Sequence, residues 1–281
     1  MTRLELAGAQ GLRLVADRWL PASHRRGTVV LLHGGGQTRH SWARTAKQLA
    51  DEGWLSITVD ARGHGESEWS PSGDYALDHF VADLYALIDT LDDRPVLVGA
   101  SLGGRVALVA EGERRGVCAG LVLVDIAPRV NRDGQKRVQA FLGGAPQGFA
   151  SPDEAAAAID AFQPNRRGPR NLQGLRKNLR QRTDGRWYWH WDPKFLQFGA
   201  DPDRNSPVDR LNRAAACITV PTMLVRGRES DLVSAESARE LLQLIPTAEL
   251  VEVDAGHMVT GDDNAVFTAH LGKFLERVRR P

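Results

Sequence analysis

A serine hydroxyl attacks a carbonyl only when a base stands beside it and donors await the charge it creates. One stretch has the form needed to present such a serine: Val96-Leu97-Val98-Gly99-Ala100-Ser101-Leu102-Gly103-Gly104. An apolar run enters a G-x-S-x-G pattern, and helical spacing (Leu102, Val106, Val109) follows. That combination predicts a sharp strand-to-helix turn with Ser101 at its apex. Gly99 and Gly103 leave room for the strained bend, and the new helix aims free N–H groups, that of Leu102 among them, at developing negative charge. Among eight histidines, His257 is the candidate base, since Asp254-Ala255-Gly256-His257 follows a strand pattern and can loop back to the same sheet edge. Three carboxylates compete to orient that base: Asp231, Glu229 two residues before it, and Asp125 at the end of an apolar run. No set of residues has metal-ligand spacing, so neither metal nor cofactor is expected.

These residues need a scaffold that brings distant loops to one edge. Residues 3–7 and 11–20 alternate apolar and polar, as an antiparallel pair does. Thr28-Val29-Val30-Leu31-Leu32 is continuously apolar, which suits a strand covered on both faces, and it opens into His33-Gly34-Gly35-Gly36. A helix at about 39–52, a strand over 54–60, the loop Asp60-Ala61-Arg62-Gly63-His64-Gly65-Glu66-Ser67 and a helix near 77–91 follow. After the serine turn comes Leu121-Val122-Leu123-Val124-Asp125, another buried-strand pattern. Strand–helix alternation of this kind implies a mostly parallel sheet, an α/β architecture.

From about 128 to 216 the rhythm fails. Helical stretches (135–141, 152–161, 172–181) surround Trp187-Tyr188-Trp189-His190-Trp191, and no strand is expected. The division anticipated is therefore a core of residues 1–127 and 217–281 with a helical lid at 128–216. The rhythm returns with a strand over 219–227, a helix at about 235–244, a strand at 249–253 and a last helix at about 264–279. In the lid, Trp187, Trp189, Trp191, Phe195 and Phe198 either line an apolar pocket or bind the lid to the core. His190 either packs or contacts substrate. The basic run from Arg166 to Arg186 reads as a solvated face or as an attractor of anions.

Bulk properties narrow the class. The chain has 281 residues, 36 Lys and Arg against 35 Asp and Glu, and a net charge of +1. That balance gives no reason to expect a nucleic-acid partner. Cys118 and Cys217 lack C-x-x-C spacing and read as reduced core thiols. The absence of a signal-like start or a long apolar run gives the expectation of a cytoplasmic protein with no membrane partner. Oligomeric state is not legible.

The landmarks, in this order, resemble the α/β-hydrolase fold superfamily over nearly the whole chain except the lid: His33-Gly34-Gly35-Gly36, the 60–67 loop, the Ser101 turn, an acid, and Gly256-His257. The segment from His33 to Trp42 is similar to a loop of the cofactor-free haloperoxidase and perhydrolase branch. The resemblance implies a Ser101–His257–Asp231 triad, because the superfamily usually keeps the acid after the strand that Asp231 follows; some relatives use the position of Asp125. It implies Gly35 as the second oxyanion donor beside Leu102. It assigns His33 and His64 to shaping the backbone. Relatives that cleave epoxides carry Asp where this chain has Ser101, so an alkyl-enzyme route is not implied.

The reading that follows is a serine hydrolase acting on a small carboxylic ester or lactone through an acyl-enzyme. Ser101-Leu102-Gly103-Gly104-Arg105 also resembles the menaquinone-pathway branch, whose arginine holds a substrate carboxylate. That implies an alternative, carbon–carbon bond hydrolysis or elimination with the same triad. A ligand receptor with vestigial catalysis is the third reading. Trp187, Trp189, His190 and Arg105 are the expected substrate contacts.

Overall fold

The computed structural model describes residues 1–22, 24–163, 172–197, 207–257 and 264–279. Its centre is an eight-stranded sheet built from β1 (Thr2–Ala7), β2 (Arg13–Trp19), β3 (Thr28–Leu32), β4 (Leu55–Val59), β5 (Val96–Ala100), β6 (Gly120–Val124), β9 (Thr222–Gly227) and β10 (Ala248–Val253). The spatial order is β1-β2-β4-β3-β5-β6-β9-β10, with β1 and β2 antiparallel and all pairings from β4 to β10 parallel.

The continuous apolar runs are explained by the two layers that cover them. Along β3, Val30 and Leu32 enter one core, while Val29 and Leu31 enter the other. Along β6, Leu121 and Leu123 face the first, Val122 and Val124 the second. A period of two with both faces buried makes every position apolar. The first face carries α2 (Leu77–Ile88), α3 (Leu102–Glu113), α7 (Pro207–Ala216) and α8 (Ala235–Leu244). The second carries α1 (Ala43–Asp51) and α9 (Asn264–Arg279).

Beyond β6 lie α4 (Arg132–Gly143), α5 (Pro152–Phe162), α6 (Leu172–Arg176) and an antiparallel ribbon of β7 (Leu179–Gln181) and β8 (Trp187–Trp189). This layer has its own apolar cluster, in which Phe149, Leu175, Leu179, Trp189 and Trp191 are buried. Two expectations change here. The tryptophan run is not an irregular cluster but a strand, stabilised by pairing with residues 179–181 and by a bridge from Phe149 to Trp187. The helix expected over 172–181 stops at Arg176, since the chain must extend to pair. In addition, α7, which lies inside the 128–216 stretch, packs into the main core through Leu211, Ala214 and Ala215. Phe198, Arg166, Arg167 and Arg170 lie outside the described residues.

What positions the site is the junction of β5 and α3. Ser101 joins them in one residue, with φ 46° and ψ −111°. A side chain there is strained, and glycines make the crowding around it possible. A Cβ on Gly99 would lie 2.4 Å from the Gly103 carbonyl oxygen, and one on Gly103 would lie 2.5 Å from the Leu32 carbonyl oxygen. Gly103 N–H donates to His33 O at 3.2 Å, so α3 is tied to the end of β3. The replacement Gly103→Ala forces α3 off β3 and should destabilise the fold by about 1–3 kcal/mol. Urea denaturation checks this; an unchanged midpoint would show that the approach of α3 to β3 is not tight.

Candidate active site

Three loops meet at the edge where β5 and β6 end. The first follows β3: a Cβ on Gly34 would lie 3.3 Å from Ser101 Cβ, so the glycine loop runs alongside the serine. The second follows β6, which Ser101 N–H joins through Val124 O at 3.1 Å. The third follows β10 and carries His257.

His257 Nδ1–H donates to Asp125 Oδ2 at 2.7 Å. The same carboxylate accepts Ser230 Oγ–H at 2.6 Å and, on Oδ1, the Gly227 N–H at 3.1 Å. Asp125 is fully buried, yet three donors surround it, which is what a desolvated carboxylate requires. Its backbone, like that of Ser101, is in the left-handed region, at φ 49°. Gly227 brings the imidazole in: a Cβ there would lie 2.4 Å from the carbonyl oxygens of Ala255 and Gly256. The backbone before His257 therefore passes directly over the end of β9.

The structure thus places Asp125, not Asp231, against the imidazole. Asp231 faces α4, where Arg137 approaches its carboxylate at 2.5 Å. The Asp231 carbonyl also packs so close to Gly134 that a Cβ on that glycine would lie 2.3 Å away. Glu229 is exposed. From this loop the residue that reaches the site is Ser230, which the sequence did not single out. The only signal for it was indirect: a buried carboxylate needs donors, and Ser230 Oγ also accepts the N–H groups of Leu232 and Val233, turning the loop inward.

The glycine loop is pinned so that one N–H is left over. Gly34 N–H donates to Gln37 Oε1 at 2.9 Å and Gly36 N–H to His64 Nε2 at 3.1 Å. Gly34 O accepts His33 Nδ1–H at 2.8 Å and Gln37 N–H at 3.1 Å. Because the peptide is trans, the Gly35 N–H points opposite to that anchored carbonyl. Gly35 N–H has no acceptor among the described residues, and Leu102 N–H, in the first turn of α3, has no acceptor inside its helix.

Three buried histidines hold this arrangement, each accepting a backbone N–H on one ring nitrogen and donating from the other. His33 Nε2 accepts Ala61 N–H at 3.0 Å. His64 Nδ1–H donates to Arg62 O at 3.0 Å. His190, from the lid, accepts Gly65 N–H on Nδ1 at 2.7 Å and donates from Nε2 to Gly36 O at 3.3 Å. Every ring must be neutral to do both. Burial is the main cause that lowers His33 to about 4 and His64 to about 3, and it takes His190 well below its ordinary value.

The expected substrate contacts in the lid are placed otherwise. Trp189 is buried in the lid's cluster, stacked on Trp191 with ring centres 5.0 Å apart, and Trp187 flanks that cluster under Arg176. They hold this layer of α4–α6 and the β7–β8 ribbon together because a thin layer has few other apolar groups to bury. His190 spends both nitrogens on backbone. What reaches the glycine loop instead are Leu142, Trp191 and Phe195, which crowd Gly36 and Gly35. Arg105, one turn past Ser101, is half-buried, and among the described residues its guanidinium has no ion pair or hydrogen bond; burial lowers its pKa. Among the described residues no cluster of three His, Cys, Asp or Glu side chains is arranged to hold a metal ion, and no helix is long and apolar enough to cross a membrane.

With this geometry in view, comparison with known proteins gives the class. A family model for the alpha/beta hydrolase fold matches residues 27–263. The chain is 28% identical over 269 residues to a 3-hydroxybutyrate-oligomer hydrolase of Cupriavidus necator, covering 90% of this chain and 89% of that protein. It is 27% identical over 266 residues to an esterase of Mycobacterium tuberculosis, covering 92% and 85%. An alpha/beta hydrolase from Novosphingobium aromaticivorans superposes with a TM-score of 0.80 at 26% identity, covering 98% of both chains. This chain belongs to the α/β-hydrolase family.

The neutral histidines carry a consequence for stability. Their folded pKa values lie below that of a free imidazole, about 6.5, so the unfolded chain binds more protons as pH falls. The stability they contribute is complete above pH 6.5 and is lost as pH falls toward 4 for His33 and 3 for His64. Urea midpoints measured between pH 7.5 and pH 5, above most carboxylate titration, should fall steadily; a flat profile would show that the three rings are not buried as neutral bases.

Proposed function

We propose that Ser101, His257 and Asp125 hydrolyse a small carboxylic ester or lactone through an acyl-enzyme. That the chain is a carboxylic ester hydrolase is the level on which its relatives agree, two of them being an oligomer hydrolase and an esterase. The observation that carries the finer reading is the 2.7 Å bond from His257 Nδ1–H to the buried Asp125. It leaves Nε2 unprotonated, free to take the Ser101 proton. Oγ then attacks the carbonyl carbon, and the oxygen, now carrying charge, is met by the N–H groups of Gly35 and Leu102. Collapse expels the alcohol, which takes its proton from His257. Water then attacks the acyl group with the same imidazole as base, the bond to Ser101 Oγ breaks, the acid leaves, and His257 returns the proton to Oγ.

Ser101→Ala should abolish turnover of p-nitrophenyl butyrate. Asp125→Asn should lower kcat by about 10³–10⁴, since an amide favours the wrong imidazole tautomer. Asp231→Asn, at the Arg137 contact, should leave kcat within about threefold. A large loss at Asp231 with none at Asp125 would reverse the assignment of the acid.

Arg105 favours a narrower reading, in which the substrate bears a carboxylate. A half-buried guanidinium with no partner among the described residues is stabilised by an anion that enters with substrate. Carbon–carbon cleavage of a carboxylate-bearing diketone remains within the reach of the same groups. The variant Arg105→Met should raise KM for the p-nitrophenyl monoester of succinate at least tenfold relative to p-nitrophenyl butyrate; an equal change for both esters would remove the carboxylate from the reading.

A further inference from the structure

We propose that His190 is a positioning residue by which the lid sets the oxyanion loop, so that lid seating and assembly of the donor pair are one event. The inference rests on the hydrolase reading above and goes beyond it. Trp189 and Trp191 on either side of His190 turn into the lid's own cluster, while the imidazole turns away from that cluster into the core. There it joins two separate core loops, accepting Gly65 N–H at 2.7 Å and donating to Gly36 O at 3.3 Å.

Gly36 is thereby held at both of its peptide groups. Its N–H is taken by His64 and its carbonyl by His190. With φ 75° it has a backbone that only glycine adopts freely, and such a residue turns easily unless both ends are fixed. If it turned, Gly36 N–H would leave His64 and the adjoining Gly35 would move with it. The lid reinforces the grip nearby. Asp192 N–H donates to Gly63 O at 2.9 Å, Tyr75 Oη–H donates to Asp192 Oδ2 at 2.7 Å, and Arg180 bonds the Gly65 carbonyl. Phe195 meets the His64 ring edge-on at 4.6 Å and lies over Gly35. Among the described residues of the lid, however, His190 alone reaches the Gly36 carbonyl.

Two substitutions separate the ring's two bonds. In Asn the amide oxygen takes the place of Nδ1 and keeps the Gly65 contact, but nothing reaches Gly36. In Gln the terminal amide takes the place of Nε2 and its NH₂ can donate to Gly36 O. The measurements are kcat and KM for p-nitrophenyl butyrate, inhibition by an aryl trifluoromethyl ketone, whose hemiketal oxyanion mimics the tetrahedral state, and thermal midpoint. His190→Asn should lower kcat about tenfold, short of the 10²–10³ that follows outright removal of a donor. KM should stay within about twofold, and the ketone should bind about tenfold more weakly. His190→Gln should keep most of both.

Equal kcat in His190→Asn and wild type overturns the proposal. So does a rise in KM alone, which would make His190 a substrate contact. Losses that follow the thermal midpoint in both variants alike would make it structural only, and overturn it too. Wild-type protein that fails to turn over the ester, or a fully active Ser101→Ala, brings down the hydrolase reading and this inference together. An active wild type with an indifferent His190 brings down this inference alone.

Discussion

The site depends on one short distance: α3 begins a single residue after β5 ends, and its first turn presses against the backbone of β3. Ordinary geometry does not allow this. Ser101 must adopt a left-handed backbone, and Gly99, Gly103 and Gly104 must stand where any Cβ would overlap a neighbouring main-chain or Ile126 atom. In return Ser101 stands at the apex of the turn, and the N–H of Leu102 is left without a helical acceptor beside it. The Gly103 bond to His33 O then fixes the glycine loop at the same height. Strain in one residue, held by packing on two sides, brings Ser101 and the glycine loop together.

The acid shows how a parallel sheet leaves a choice that only packing resolves. Both β6 and β9 end at the edge where His257 arrives, and each is followed by an aspartate. Asp125 follows the strand paired with β5, in a left-handed turn that points its carboxylate under the imidazole, and the loop after β9 supplies donors to it rather than an acid of its own. Asp231 is drawn to the other side of that loop by Arg137 and the first turn of α4. A strand-end carboxylate and a loop carboxylate look alike in sequence; they differ in how many donors burial can bring them.

Legibility followed the same line. The sheet was readable because strands covered on both faces must be continuously apolar, and β3, β5 and β6 are. The serine turn was readable because its crowding demands glycines at fixed spacing, and His257 because a Gly-His pair after a strand is a local signal. The ribbon of β7 and β8 was not, since three-residue strands have too few positions for alternation, and tryptophan suits helix contacts and strands equally well. Nor was the role of α7: helical periodicity shows that a helix has an apolar face but not which layer that face meets. Ser230 had no local signal, because its meaning depends on a carboxylate 105 residues away.

The buried histidines close the physical account. Side chains that must accept one main-chain N–H and donate to one main-chain carbonyl through two separate atoms, in a place too dry for charge, are few: asparagine, glutamine and neutral histidine. Imidazole is the rigid member of that set, with its two polar atoms at a fixed separation, so it holds two loops apart as well as together. His33, His64 and His190 do this in series, with ring centres 5.3 Å and then 5.8 Å apart. The series runs from the end of β3, through the 60–67 loop, to the lid. Because desolvation opposes a proton on any of them, the dryness that keeps these rings neutral also keeps them out of proton transfer, whereas His257 is less buried and bonded to a carboxylate.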